Sequence, residues 1–280
     1  MADNRRDEMI EKLAEGIKQL TTSADWQRWL TVQSRFHRYS FNNTLLIQLQ
    51  RPDASRVAGF RAWQQMGRQV RKGEKAIWIL APVTKKADQV DLEVTANSPD
   101  AKGRVLVAFR PACVFDIMQT DGEDLVEVCS RLTGDAPEGI YERLVAVAQS
   151  IGYRVEDFDF PGATNGDCSF DLRRIRVHAG NRPAQRVKTI AHELAHAMLH
   201  EGYSNRAVAE LEAESVAFIV MSAVGLDSSD YSFGYVATWA GGGDEAVAAI
   251  KASGQRIQRT ADDILRRLEA ETSPVRQEVA

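Results

Sequence analysis

The pentapeptide His192-Glu193-Leu194-Ala195-His196 constrains this chain more than any other feature. Two imidazoles four residues apart face the same way on an α-helix, where one turn separates them and both can grip one ion. The surroundings fit such a helix. Val187, Ile190, Ala191, Leu194 and Met198 recur at helical spacing and form a core-facing stripe, and Pro183 suits the start. In an H-E-x-x-H helix neutral imidazoles bind zinc, and the glutamate takes a proton from a water that zinc has acidified. His192 and His196 are therefore the expected Zn2+ ligands, and Glu193 the expected catalytic general base.

A catalytic zinc keeps three protein ligands and one open position, so a third must come from elsewhere. His200 lies about 12 Å along the helix axis from His192, too far to meet the same ion. A helix-end histidine near the C-terminal dipole is the plainer reading. The next helix carries Glu210, Glu212 and Glu214 in an otherwise apolar segment, where a charge is rarely buried without a partner. Glu210 and Glu214, four apart, share a face, whereas Glu212 points about 200° away from Glu210. One face can thus supply a ligand and a second carboxylate that holds a histidine or water behind it. Glu210 is assigned to the metal and Glu214 to the supporting place, with the reverse order left open. Glu212 is expected to be a solvated acid and is the weaker alternative ligand.

His-Glu-Leu-Ala-His followed by this glutamate helix resembles the ImmA/IrrE group of metallopeptidases over roughly residues 135–240. The resemblance implies a zinc-dependent hydrolase domain in which Glu-x-Glu-Ala-Asn-x-Phe-Ala aligns without gaps to Glu210–Ala217. This chain departs from that pattern with Glu214 for Asn and Val216 for Phe, which bears on which carboxylate binds zinc more than on whether zinc binds. Beyond it, Tyr231, Phe233, Tyr235 and Trp239 form an aromatic cluster. A tyrosine there could stabilise an oxyanion, though core packing is the plainer role.

The charge of the chain is split. Residues 1–120 hold 19 Lys and Arg against 13 Asp and Glu, and the remainder 16 against 26. Between residues 28 and 75 ten basic residues face only Asp53 and Glu74, interleaved with Trp29, Phe36, Tyr39, Phe41, Phe60 and Trp63. Cations track phosphates and exposed aromatics stack on bases, a combination suited to single strands. The stretches Ser40–Ile47, Gly59–Trp63, Gly67–Ala76 and Val114–Asp116 resemble the N-terminal domain of ArdC-type antirestriction proteins, over roughly residues 8–120. That resemblance implies a module for single-stranded DNA followed by a zinc metallopeptidase-like domain, the order found here. It further implies a role for mobile genetic elements in evading host restriction. Asn42, Asn43, Arg68, Arg71, Lys72 and Lys75 are the candidate DNA contacts.

Together these readings give an α+β fold in two domains. Residues 8–120 form a helical plus small-sheet DNA-binding domain, and 135–240 a mainly helical zincin-like domain with a small sheet. A C-terminal helix covers 241–270. Helices are expected over Met9–Leu20, after Ser23, over Leu45–Gln50 and Ala62–Met66, and from Glu138, Pro183, Ala207 and Asp244. Strands are expected at 76–80, 90–94, 105–109, 153–158 and 173–177, with a turn cluster at Gly162–Asp167. Three scattered cysteines make neither a disulfide framework nor a thiolate metal cage and point to the cytoplasm. No apolar run approaches a membrane span. The expected function is a single-stranded-DNA-binding antirestriction protein with a zinc metallopeptidase-like domain and, as a possible partner, a repressor or restriction component as protein substrate. Two alternatives stand beside it: a DNA-tethered endopeptidase that cleaves a repressor, and a non-enzymatic DNA-binding protein with a structural zinc.

Overall fold

The computed structural model describes residues 2–20, 22–89, 102–123, 138–226 and 244–272. Along the chain run α1 (Ala2–Gln19), α2 (Ser23–Arg35), α3 (Phe41–Gln50), β1 (Val57–Ala58), α4 (Phe60–Gln65), β2 (Arg68–Val70), β3 (Ile77–Lys86), β4 (Arg104–Asp116) and β5 (Thr120–Gly122). After these come α5 (Ile140–Ser150), β6 (Arg154–Phe158), β7 (Gly166–Ser169), β8 (Arg174–His178), α6 (Pro183–Leu199), α7 (Arg206–Ala223) and α8 (Asp244–Thr272). The fold is α+β, and the chain divides into two compact units: Met1–Gly16 with Asn42–Leu125, and Ile17–Phe41 with Val126–Ala280. No helix among the described residues is long and apolar enough to cross a membrane. The expected strand at 90–94 and the aromatic cluster at 231–239 lie outside the described residues.

In the first unit a three-stranded antiparallel sheet has the order β1-β4-β3. β3 and β4 run in register from Ile77 opposite Val114 to Pro82 opposite Phe109, with a bulge at Val83/Thr84. β1 is held to this sheet by Asp116, a fully buried carboxylate that accepts from the backbone N–H groups of Ser55 at 2.8 Å and Arg56 at 3.0 Å. β3 is an outer strand, and α3 covers its edge. Asn43 accepts from Leu80 N and donates to Leu80 O at 2.9 and 3.0 Å, while Gln50 does the same for Trp78 at 3.0 and 2.9 Å. Seven residues apart, the two amides lie on one helix face and meet the two residues of β3 whose polar groups point outward. An edge left bare would be a template for pairing with another chain.

In the second unit β6 is parallel to β8 and β7 antiparallel to it, giving the order β6-β8-β7. α6 packs on this sheet and on α5, α7 packs on α6, and α8 packs on α7. The segment at residues 17–41, which the sequence expectation put with the DNA-binding half, clusters with this unit instead. Its aromatics explain why: Trp26, Trp29, Phe36 and Phe41 are buried, and α2 packs against α7. Trp26 Nε1 donates to Ser215 Oγ at 3.0 Å, and the Trp26, Trp29 and Phe41 rings meet in sequence, tilted and then edge-on, at 4.9 and 5.1 Å. Gln258 on α8 donates to His37 O at 3.1 Å. These aromatics are therefore core rather than a stacking platform for bases.

Candidate metal centre

Two consecutive helices build the centre. α6 begins with Pro183 at its first turn, where a missing N–H costs nothing, and ends at His200. α7 is capped by Asn205, whose side chain accepts from Val208 N at 3.2 Å. Leu194 on α6 and Ala213 and Ala217 on α7 are fully buried, so the helices carrying the polar groups are fixed by an apolar seam.

Across that seam His192, His196 and Glu210 each aim one ligand atom at a common point, the three atoms lying within 4.8 Å of one another. The separations are 3.0 Å between the two Nε2 atoms, 3.4 Å from His192 Nε2 to Glu210 Oε2, and 3.7 Å from His196 Nε2 to the same oxygen. Ligands at 2.0–2.1 Å from a tetrahedral ion stand about 3.3 Å apart, so the triangle has the size that a small divalent ion requires. A proton competes for the same atoms. Burial lowers the His192 pKa, but the hydrogen bonds to Glu210 and Glu214 outweigh it and lift the value to about 9. The nearby imidazoles, His192 first and then His196, hold the Glu210 carboxyl far below the ordinary range. The Glu210 side chain is 41% exposed, which leaves the centre open on one side.

Each histidine is braced from behind. His192 Nδ1 donates to Glu214 Oε2 at 3.1 Å, and Lys188 Nζ holds the other oxygen of Glu214 at 2.9 Å. His196 Nδ1 lies 2.9 Å from His200 Nδ1, and His200 Nε2 lies 3.3 Å from Glu212 Oε2. Arg256 Nε sits 3.1 and 3.2 Å from the two oxygens of Glu212, and Ser253 Oγ donates to it as well. Two expectations are corrected here. Glu212 is not solvated: it is fully buried, and contacts with His200, Arg256 and Ser253 offset its burial and lower its pKa. His200 is more than a dipole-end residue, because it is 4% exposed and stands between His196 and Glu212. Helical spacing signals that Glu212 faces away from Glu210; that α8 waits on that side with an arginine is a tertiary fact.

Glu193 is buried, and desolvation raises its pKa to about 7. It packs toward β7 at Gly166, where a Cβ would stand 2.5 Å from Thr189 Cγ2, 2.7 Å from Arg176 O and 3.3 Å from Glu193 Oε1. Burial likewise pushes the thiol of Cys168, on the same strand, up to about 12. β7 begins inside the expected turn cluster. Its short Gly-Asp-Cys-Ser run has no apolar alternation, and only pairing with β8 makes it a strand.

The six candidate DNA contacts do not form one surface group. Asn43 is committed to Leu80, as described. Arg68 is buried with its guanidinium donating to Thr120 Oγ1 at 2.8 Å, Thr120 O at 3.1 Å and Gly122 O at 3.3 Å, which ties β2 to β5. Both are corrections, since a side chain spent on internal backbone cannot also meet phosphate. Arg71 is partly exposed but pairs with Glu74 at 2.8 Å and Asp121 at 3.1 Å. Asn42 is half-buried, and its Oδ1 has no hydrogen-bond partner among the described residues. Lys72 and Lys75 are exposed.

Fold and site together define an α+β protein with a metallopeptidase-like second unit. Comparison with known proteins narrows this. Residues 1–115 match the family of the N-terminal domain of anti-restriction factor ArdC, and residues 148–232 match the IrrE N-terminal-like domain of the peptidase M78 family. The crystal structure of metal-free antirestriction ArdC protein from plasmid R388 aligns over 83% of this chain and 86% of that one, with a TM-score of 0.53 and 20% identity. A Mn(II)-bound structure of the same protein aligns over 86% and 97%, with a TM-score of 0.49 and 19% identity. An uncharacterised protein of Bacillus anthracis is 26% identical over 97% of this chain and 52% of its own length, so the chain spans about half of that relative. The chain is thus ArdC-like in its arrangement, with a domain similar to the ArdC N-terminal domain over residues 1–115 followed by an IrrE-like domain over residues 148–232.

Proposed function

We propose that this chain is an antirestriction-type protein that holds single-stranded DNA on its first unit and carries a zinc-dependent hydrolytic site in its second. The observation that carries the metal half is the triangle of His192 Nε2, His196 Nε2 and Glu210 Oε2, with edges of 3.0–3.7 Å. Two imidazoles and a carboxylate suit zinc, and three ligands with one side open suit a catalytic rather than a closed structural site. Bound zinc supplies Lewis acidity and brings the pKa of a water toward ~7. Glu193, one step round the helix from His192, would serve as the general base there, accepting a proton from a water and returning it to the leaving group. His192 and His196 keep their Nε2 atoms inward because their Nδ1 atoms are engaged on the other side.

The DNA half draws on the basic balance of residues 1–120 and on the exposed Lys72 and Lys75. Arg71, Arg68 and Asn43 shape the scaffold that presents them. A second reading, an endopeptidase that cleaves a DNA-associated repressor or restriction component, is favoured by β7. It is an outer strand packed against α6 beside Glu193, and an outer strand can pair with an extended peptide.

Zinc titration of the full-length protein tests the first half. One equivalent is expected to bind, Glu210→Ala to weaken binding by more than tenfold, and Glu193→Gln to leave it within a few-fold. Failure of the wild type to bind zinc overturns the metal reading. An antirestriction assay of Glu193→Gln then separates the two functions: protection that survives the substitution excludes proteolysis as its cause.

A further inference from the structure

The two histidines of the centre are held by different chemistry. His192 leans directly on a carboxylate, whereas His196 leans on another histidine. We propose that His200 and Glu212 are positioning residues that lock His196 with a bare Nε2 facing the ligand triangle, and that Arg256 makes α8 part of the metal site without touching it. The inference rests on the reading of His192, His196 and Glu210 as a metal site.

The protonation pattern follows from the donors available. The Glu212 carboxylate is fully buried and faces the Arg256 guanidinium, so it is present as an acceptor. The His200 Nε2 that meets it at 3.3 Å must then carry a proton. In a neutral His200 this leaves Nδ1 bare, and at 2.9 Å it accepts from His196 Nδ1. His196 therefore keeps its proton on Nδ1. Its Nε2 lone pair is left on the side of His192 Nε2 and Glu210 Oε2, at 3.0 and 3.7 Å. Remove the acceptor at position 200 and either nitrogen of His196 can hold the proton, so half of the problem of preparing a ligand returns. His200 and Glu212 are both buried, so water does not take over the role.

Long-range proton–nitrogen correlation spectra of metal-free, 15N-labelled full-length protein read this directly. His196 is expected as a single Nδ1–H tautomer in the wild type and as a mixture in His200→Phe. Zinc affinity of His200→Phe is expected to fall 10–100-fold with an unchanged circular dichroism spectrum. His200→Gln, which restores an acceptor and a donor, is expected to recover part of the loss. If His200→Phe does not fold, the smaller His200→Leu, which likewise offers no acceptor, is read in the same two ways. An Nε2–H tautomer at wild-type His196, or affinity unchanged within twofold in the folded variant, overturns the inference. A wild type that takes up no zinc defeats the metal reading instead, and the tautomer spectrum alone then decides the relay.

Discussion

At the scale of single residues, polarity in this chain serves the interior as much as the surface. Asn43 and Gln50 act as a surrogate strand for β3, and Arg68 staples β2 to β5 through backbone carbonyls. Asn43→Leu strips partners from Leu80 N and O together, and each buried group left unpaired costs about 1–3 kcal/mol. With two groups affected, urea unfolding is expected to show a loss of about 2–6 kcal/mol, while affinity for a single-stranded oligonucleotide stays unchanged. The lysines behave the other way. Lys72→Ala and Lys75→Ala are expected to leave stability within about 0.5 kcal/mol. Each is also expected to reduce the slope of log affinity against log salt by about 0.7. An unchanged slope in the double variant removes this loop from the DNA surface.

At the scale of elements, close approach sets where substitution fails. Gly254 lets α8 meet Phe41, since a Cβ there would stand 2.3 and 2.5 Å from the ring carbons Cε2 and Cδ2. Gly254→Ala forces the ring or the helix aside, and overpacking of this kind costs about 1–3 kcal/mol, measurable as a lower melting temperature. Gly166→Ala creates the same conflict between β7 and α6, but beside Glu193. It is expected to depress hydrolysis more than zinc affinity, which a paired activity assay and titration can read. Equal losses in both would mean that β7 supports the helix rather than the general base.

At the scale of the whole molecule, the second unit is assembled from two separated stretches of chain. Removing residues 1–41 takes α2 away from α7, strips the fully buried Ser215 of its Trp26 partner and leaves α8 without Phe41 against Gly254. The truncated protein is expected to bind a hydrophobic dye and to lack a cooperative melt. Metal removal is expected to be milder. The apolar seam between α6 and α7 does not depend on an ion, so chelation should leave the far-ultraviolet circular dichroism intact. The melting temperature should fall only by the linkage contribution, about 2.7 kcal/mol at a hundredfold excess of zinc over its dissociation constant. Unfolding on chelation would instead identify a structural site.

The helices and the His192, Glu193 and His196 constellation could be read in the sequence because they depend on spacing within one helix, and helical geometry is local. The face shared by Glu210 and Glu214 was legible for the same reason, as was the order of an antirestriction-type half and a peptidase-like half. β7 was not, because a four-residue strand without alternation exists only through its pairing with β8. The fates of Asn43, Arg68 and Glu212 were not legible either. An amide, a guanidinium and a carboxylate look alike in sequence whether they meet water or a partner, and only the packed neighbours, Leu80, Thr120 and Arg256, decide between them. Sequence thus determined which groups were available and on which helix face. Tertiary structure decided which were spent, because burial makes an unpaired polar group costly and so selects the partner.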